Sequence, residues 1–216
     1  MKQCMNPFEK FALEYDEWFD SDHGACLFQQ ELRCIRESIS DFSGHWIEIG
    51  VGSGRFSAAL GITSGVDVSP AMTAIASRRG IRTWTASAEK LPFENCAFDG
   101  VLMVCTLCFL KSPQKAIQEC CRILRVDGTL VIAFIPANSP WGVYHSERGS
   151  KGHAFYASAR FHTAETVKEM AHHAGAVFLN KRGCVLPDPK INLPQGLRPD
   201  SFVVLSFKKT EEKIKS

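Results

Sequence analysis

Residues 46–54, Trp-Ile-Glu-Ile-Gly-Val-Gly-Ser-Gly, decide the fold, because a short apolar run enters a cluster of glycines at alternate positions. Glycines after a strand let the backbone turn tightly and approach a ligand closely. The short helix that we predict next, to about Leu60, offers its N-terminal N–H groups to the same ligand. Open α/β sheets bind ligands at the carboxyl ends of their strands. The stretch therefore predicts a nucleotide-like ligand at the end of a first strand.

The sequence after this stretch alternates between strands and helices. Ser69-Pro70 and Ser112-Pro113 each place an N-cap residue before a proline at the first helical position, which is typical of a helix start. The alternation indicates a Rossmann-like α/β fold, with a mostly parallel seven-stranded sheet and helices on both faces. The last two strands are joined by a proline-rich loop, so we expect an antiparallel edge strand there. The strands predicted after the first are residues 62–67, 81–85, 98–106, 129–134, 177–179 and 202–207.

Two helices are predicted before the glycine cluster. The second covers Ala25 to Ile39, and the first carries aromatic residues at helical spacing on one face. That face is either the core side of the helix or an N-terminal helical lid over a ligand. We expect one domain, residues 1–208, with a helical cap at 1–40, a core at 45–208 and a charged tail at 209–216. The aromatic residues are Phe8, Phe11, Tyr15, Trp18 and Phe19.

Composition excludes several classes of protein. The 216 residues are 45% hydrophobic and 22% charged, which excludes a disordered chain, a collagen and a coiled coil. The formal net charge of +2 gives no electrostatic reason to expect a nucleic acid or an anionic membrane as partner. No apolar run approaches the roughly 20 residues that cross a bilayer, and we find no signal peptide. The nine cysteines then predict reduced thiols in a cytoplasmic protein, either a monomer or a homodimer.

Two acidic residues narrow the choice of ligand. A dinucleotide-binding loop would place its third glycine at the position of Arg55, so that pattern is displaced by one residue. Glu48 would repel a pyrophosphate but suits an ammonium group or a hydroxyl. Asp67, at the end of the second strand, is placed to accept two hydrogen bonds from a ribose diol. An adenosine with an amino-acid tail satisfies both carboxylates.

From Trp46 to Gly175, the chain resembles the class I S-adenosylmethionine-dependent methyltransferases. The likeness is strongest to the small-molecule branch that includes the ubiquinone and menaquinone biosynthesis methyltransferases. It rests on motifs in the family's order: Glu48 to Gly54, Asp67, Ala88-Glu89-Lys90-Leu91-Pro92-Phe93 with Phe98-Asp99, and Leu124-Arg125-Val126-Asp127-Gly128-Thr129-Leu130. The run Tyr15-Asp16 to Trp18-Phe19-Asp20 resembles the aromatic helix that covers the cofactor in relatives.

The resemblance implies S-adenosylmethionine as cofactor, S-adenosylhomocysteine as product and a small-molecule methyl acceptor. The chain departs from the family at Ser87, where relatives usually have an acid for the adenine amino group, and at Val126-Asp127, which replaces a proline-glycine pair. The cofactor-binding residues that it predicts are Glu48, Gly50, Gly52, Gly54, Asp67, Val68, Ser87, Ala88, Glu89, Cys105, Tyr15 and Trp18.

Residues 136–162 are long, aromatic and loop-like, and they are expected to form either a structured surface loop or one wall of the acceptor site. Methyl transfer needs alignment of the nucleophile and exclusion of water, and a general base only for some acceptors. No catalytic residue is therefore established by the sequence. The candidates for a proton acceptor are His145, His153 and Tyr15.

The cysteines are open to more than one interpretation. Cys105, Cys108, Cys120 and Cys121 invite comparison with a zinc site, but residues three apart on a strand face opposite sides, so we predict buried thiols and no metal. Three thiols that converge on the methyl group would instead indicate a thiol- or arsenite-methylating enzyme. Two further classes of protein remain as interpretations of the glycine loop. They are a nucleotide-binding oxidoreductase and a catalytically idle regulator that binds S-adenosylmethionine.

Overall fold

A computed structural model describes residues 6–39, 42–184 and 200–211. Seven strands form one sheet in the order β3-β2-β1-β4-β5-β7-β6. Neighbouring strands from β3 to β5 are parallel, and β7 is antiparallel to both β5 and β6. The strands are β1 (Trp46–Ile49), β2 (Ser64–Asp67), β3 (Arg82–Thr85), β4 (Phe98–Val104), β5 (Leu124–Phe134), β6 (Ala176–Cys184) and β7 (Phe202–Lys209). The predicted fold class is confirmed, with the antiparallel strand one place in from the edge.

Eight α-helices and two short 3-10 turns are found among the described residues. The 3-10 turns are Leu107–Phe109 and Tyr156–Ser158. The helices are α1 (Pro7–Lys10), α2 (Ala12–Trp18), α3 (Asp22–Ser38), α4 (Arg55–Leu60), α5 (Pro70–Arg78), α6 (Pro113–Ile123), α7 (Pro140–Ser150) and α8 (Ala164–His173). None of them is long and apolar enough to cross a membrane.

Helices cover both faces of the sheet, so β4 is buried throughout its apolar run. Val101 and Met103 belong to one core cluster, which includes residues of α6 and α8. Leu102 and Val104 belong to a second cluster, which includes residues of α3 and Trp141 of α7. Alternate residues of a strand point to opposite faces, which explains this division. The apolar run of β4 is continuous because the strand is covered by helices on both of its faces.

The structure corrects four sequence predictions. The N-terminal aromatic helix is two short helices, because the backbone at Phe11 leaves the helical region with φ −119° and ψ 36°. The stretch 136–162 is not a loop, since Ser139 caps α7 inside it. β5 begins at Leu124 rather than at 129, and Asp127 is a positive-φ irregularity inside the strand. Ser112 precedes α6 as predicted, but its side chain does not cap that helix.

The last strands are longer than the sequence indicated. β6 continues to Cys184, and β7 continues to Lys209, whose partner in β6 is Ala176. The first residue assigned to the charged tail therefore belongs to the sheet. The prolines predicted in the loop between β6 and β7 lie in 185–199, outside the described residues.

Candidate active site

The glycine loop follows β1 and turns back against β2. The N–H of Gly50 donates to the Val66 carbonyl at 2.7 Å, and its φ is +77°. A β-carbon at Gly50 would lie 2.1 Å from the side-chain oxygen of Thr106. Both the conformation and the packing therefore require glycine at this position.

Gly52 has the same left-handed conformation but a different environment. Its φ is +53°, and no atom lies within 4 Å of the position that a β-carbon would take. Its N–H donates to Asp67 Oδ2 at 2.9 Å, which ties the loop to the end of β2. A glycine that faces open space beside a carboxylate leaves room for a ligand to approach the backbone. The observation fits an adenosine-type cofactor at this edge of the sheet.

Asp67 is partly buried at the carboxyl end of β2. Its other oxygen, Oδ1, accepts from the Ser69 N–H at 2.9 Å. Burial raises the pKa of Asp67 above its ordinary value, although the backbone N–H donors oppose this shift. A carboxylate has about four acceptor positions, so two backbone hydrogen bonds leave room for two more from a diol. The geometry agrees with the ribose contact that the sequence predicted, which stays a prediction.

Glu48 lies on β1 and is 2% exposed. One of its carboxylate oxygens accepts from the hydroxyl of Ser57, which holds α4 against β1. Burial raises the pKa of Glu48 to about 8, because a charged carboxylate loses its hydration there. The structure therefore gives Glu48 a role in holding the loop, and its contact with the cofactor stays a prediction.

The residues predicted for the adenine side lie after β2 and β3. Val68 is 59% exposed, although it is apolar, and it directly follows Asp67. Ala88 is buried, whereas Ser87 is exposed and its hydroxyl accepts from the N–H of Glu89. The Glu89 carboxylate accepts from the Ser112 N–H at 2.9 Å, so one of its oxygens is already engaged. These four contacts with adenine stay predictions.

Helices α1 and α2 are fastened to the cofactor side of the sheet, and we call them the lid. The Glu9 carboxylate accepts from the Ala71 N–H at 3.1 Å, at the start of α5. The Asp16 carboxylate forms two ion pairs. Its Oδ1 lies 2.7 Å from Nε of Arg55, and its Oδ2 lies 2.8 Å from Nη2 of Arg79. The two guanidinium groups and the Ser53 hydroxyl lower the pKa of Asp16, although burial opposes the shift.

The lid also contributes to a cluster of rings, which we call the aromatic cluster. Tyr15 lies 5.4 Å from Phe8 and 5.8 Å from Phe155, measured between ring centroids. Tyr156 lies 4.1 Å from His145 and 4.9 Å from His153. The three proton-acceptor candidates, Tyr15, His145 and His153, are thus brought together by segments distant in sequence.

The three candidates differ in their surroundings. Burial raises the pKa of Tyr15 well above its ordinary value, and nearby Cys105 and Tyr156 add to the shift. Burial and then Arg148 lower the pKa of His153. His145 is 4% exposed, within α7. Their role as proton acceptors stays a prediction.

Trp18 is the last residue of α2. It is 43% exposed, and its ring contacts are with Phe19 and His23. The expected contact between Trp18 and the cofactor has no support in this arrangement, and it stays a prediction.

Burial raises the pKa values of the thiols near the site. Cys105 directly follows β4 in a left-handed conformation with φ +48°, and burial raises the pKa of its thiol well above the ordinary value. Cys108 donates to the Cys105 carbonyl, whereas the thiol of Cys120 contacts the sulfur of Met103. In the described part of the chain, no group of three or more His, Cys, Asp or Glu residues is placed to hold a metal ion.

Sequence reasoning missed Glu31, a partly buried residue on the inner side of α3. Leu27 and Ile35 lie four residues before and after it and are buried, so Glu31 interrupts the apolar stripe of the helix. Burial raises its pKa to about 8, and the Cys184 thiol adds to the shift. A charged residue at the i+4 position of a buried stripe was the available signal.

Comparison with known proteins identifies the family. The model of a family described as a methyltransferase domain matches residues 47–132. An uncharacterised protein from Methanocaldococcus jannaschii is 34% identical over 95% of this chain and 100% of that protein. A Thermotoga maritima structure, described as an S-adenosylmethionine-dependent methyltransferase and possible histamine N-methyltransferase, has a TM-score of 0.82 and 31% identity. That similarity covers 94% of this chain and 99% of that one.

An uncharacterised Mycobacterium tuberculosis protein is 36% identical over 82% of this chain, and the chain spans 62% of the length of that relative. The chain belongs to the S-adenosylmethionine-dependent methyltransferases, and S-adenosylmethionine is the cofactor of this family. The family that the sequence resembles and the cofactor that this resemblance implies are therefore confirmed.

Proposed function

We propose that this protein transfers the methyl group of S-adenosylmethionine to a small-molecule acceptor. The observation that carries the proposal is the arrangement at Gly52, whose backbone faces open space while its N–H is held by Asp67. This unit suits an adenosine ligand, with the Asp67 carboxylate on the ribose diol and Val68 beside the adenine ring.

When bound, S-adenosylmethionine supplies a methyl carbon that its sulfonium group has already activated. The protein's residues then have to bind the cofactor, orient the acceptor and exclude water. Gly50, Gly52 and Gly54 form the backbone of the cofactor loop. The lid restricts access of water, since Asp16 ties it to Arg55 at the start of α4.

The acceptor site of the proposal lies between the lid, the end of β4 and the 3-10 turn after α7. Its boundary includes Tyr15, Cys105 and Tyr156, which interact electrostatically with one another. Aromatic residues beside the lid favour a small acceptor over a polymer, since a polymer needs an open groove. We further propose that the protein acts in the cytoplasm without a nucleic-acid partner.

Ligand-dependent thermal unfolding tests the proposal. S-adenosylmethionine and S-adenosylhomocysteine at about 100 times their dissociation constants are each expected to stabilise the protein by about 2.7 kcal/mol. For a domain of this size, the melting temperature rises by roughly 5–10 °C. NAD in parallel is the control and is expected to give no shift. A shift with NAD alone would contradict the proposal, because it would indicate a dinucleotide site.

A further inference from the structure

Arg79 lies at the end of α5, and its guanidinium contacts both the glycine loop and the lid. One nitrogen, Nη1, donates to the Ser53 carbonyl at 2.9 Å. The other, Nη2, donates to the Asp16 carboxylate, at 2.8 Å from Oδ2 and 3.0 Å from Oδ1. A guanidinium presents its donors in a rigid planar fork, so the carboxylate that holds one arm also fixes the direction of the other.

The Ser53 carbonyl belongs to a peptide group that is held at both ends. Its oxygen accepts from Arg79, and its N–H, which is that of Gly54, donates to the Val51 carbonyl at 2.9 Å. A peptide group is planar, so two hydrogen bonds on opposite sides fix its orientation. Arg79 therefore determines how this part of the glycine loop is turned.

The preceding peptide group joins Gly52 to Ser53 and lies between two anchored positions. On one side, the N–H of Gly52 is held by Asp67. On the other side, the Ser53 carbonyl is held by Arg79. In the part of the chain that the structure describes, the Gly52 carbonyl and the Ser53 N–H take no part in the backbone hydrogen bonds of the loop. This peptide borders the open space at Gly52, where a ligand meets a donor and an acceptor.

Asp16 connects this arrangement to the lid. Its carboxylate also lies 2.7 Å from Nε of Arg55, the first residue of α4, and Nη2 of Arg55 donates to the Asp16 carbonyl at 2.8 Å. Asp20 lies four residues further along the chain and forms its ion pair with Arg55. The two acids thus differ, because the contact with Arg79 is made by Asp16.

We propose that Arg79 and Asp16 are positioning residues for S-adenosylmethionine. The docked lid places the Asp16 carboxylate, that carboxylate holds the guanidinium on the Ser53 carbonyl, and the carbonyl orients the peptide that borders the cofactor. Neither side chain has to contact the cofactor for this effect. The inference rests on the proposed function, and it adds two residues that set the affinity for the cofactor indirectly.

The end of α5 is a suitable place for this arginine. Arg79 is the C-cap residue of the helix, where carbonyl groups carry a partial negative charge that favours a cation. Gly80 follows with a φ of +82°, so the chain leaves the helix there. Arg78, the preceding residue, is exposed and forms none of the ion pairs among the described residues. It therefore supplies a matched control.

The test compares Arg79→Met with Arg78→Met. Each variant removes one cation from the end of α5 and leaves an unbranched side chain. Affinities for S-adenosylmethionine and S-adenosylhomocysteine are measured by calorimetric titration, well below the unfolding temperature, so that folded molecules are compared. Asp16→Asn is compared with Asp20→Asn in the same way, because Asp20 pairs with Arg55.

We expect Arg79→Met and Asp16→Asn each to lower the affinity for both ligands by roughly tenfold, the value of one hydrogen bond with a charged partner. The two control variants should stay within about twofold of the wild type. The double variant of Arg79 and Asp16 should lose no more than either single variant, since both act on the Ser53 carbonyl by one route. Arg79→Lys should recover part of the affinity, because an ammonium keeps the charge but lacks the fork.

A purely structural role gives a different result. It would lower the melting temperature of the ligand-free protein and leave the affinity of the folded Arg79→Met protein unchanged, and that result would overturn the inference. Fully additive losses in the double variant would also overturn it, because the two residues would then act separately. Both results leave the proposed function standing.

Failure of the wild-type protein to bind S-adenosylmethionine would instead overturn the proposed function itself. If Arg79→Met does not fold, Arg79→Lys is compared with Arg78→Lys. A loss of affinity confined to the first of these variants supports the inference, and equal affinities in the two overturn it.

Discussion

The cofactor side and the acceptor side of the site are built in different ways. On the cofactor side, the glycine loop and Asp67 lie within one βαβ unit, and backbone N–H groups make the contacts. On the proposed acceptor side, Tyr15, Cys105 and Tyr156 come from three separate segments: α2, the residue after β4, and the 3-10 turn after α7. The difference shows that one half depends on backbone conformation and the other on the packing of distant elements.

Gly52→Ala gives the largest expected effect, on the cofactor side. A β-carbon there enters the open space beside Asp67, so the affinity for S-adenosylmethionine should fall by roughly a hundredfold, which corresponds to about 2.7 kcal/mol. Gly61→Ala is the matched control, because Gly61 has a φ of +74° and also nothing within 4 Å of a β-carbon. Both variants carry a similar backbone strain, so calorimetric titration separates strain from ligand exclusion. Equal loss of affinity in the two variants would contradict the proposal that the cofactor lies against the backbone of Gly52.

A smaller effect is expected on stability as the pH rises, and it tests one carboxyl group from each side. Burial raises the folded-state pKa of both Glu48 and Glu31 to about 8, above the ordinary value of 4.5. Their contribution to stability is therefore fully present below about pH 4.5 and is lost as the pH rises through about 8, the reverse of a salt-bridged acid. The melting temperature of the protein without ligand should fall between about pH 6 and pH 8, by an amount on the order of 10 °C, and change little above that.

Glu48→Gln and Glu31→Gln should each make this decline shallower. Glu48→Gln keeps an oxygen that accepts from the Ser57 hydroxyl, so the contact between α4 and β1 should be retained while this pH dependence is lost. A melting temperature that is independent of pH in the wild-type protein would show that neither carboxyl group is neutral in the folded state.

Ser87→Asp gives the smallest expected effect. The family resemblance places an acid at this position for the adenine amino group, and Ser87 is exposed here. An aspartate should raise the affinity for S-adenosylmethionine about threefold to tenfold, the value of one added hydrogen bond. Its carboxylate also replaces the hydroxyl as acceptor for the Glu89 N–H. Unchanged affinity in titration calorimetry would place adenine away from residue 87.

The sequence was sufficient for the sheet and the glycine loop, because their signals are local. Alternate glycines, Asp67 at a strand end and Ser69-Pro70 at a helix start each act within a few residues. The break at Phe11 was missed, since aromatic spacing does not reveal tertiary packing. The helix inside 136–162 was missed although Ser139-Pro140 carries the same start signal as Ser69-Pro70. Glu31 was missed although the sequence held a signal for it, an acid four residues from both Leu27 and Ile35 on the apolar side of α3.

Asp16 has a consequence for the order in which molecules leave the site. It binds Arg55, and it also binds Arg79, whose guanidinium donates to the Ser53 carbonyl of the glycine loop at 2.9 Å. The Asp16 carboxylate thus links the lid to the glycine loop through Arg79. We expect product release to require separation of this ion network, which ions in solution weaken. Raising the ionic strength should then shorten the residence time of S-adenosylhomocysteine.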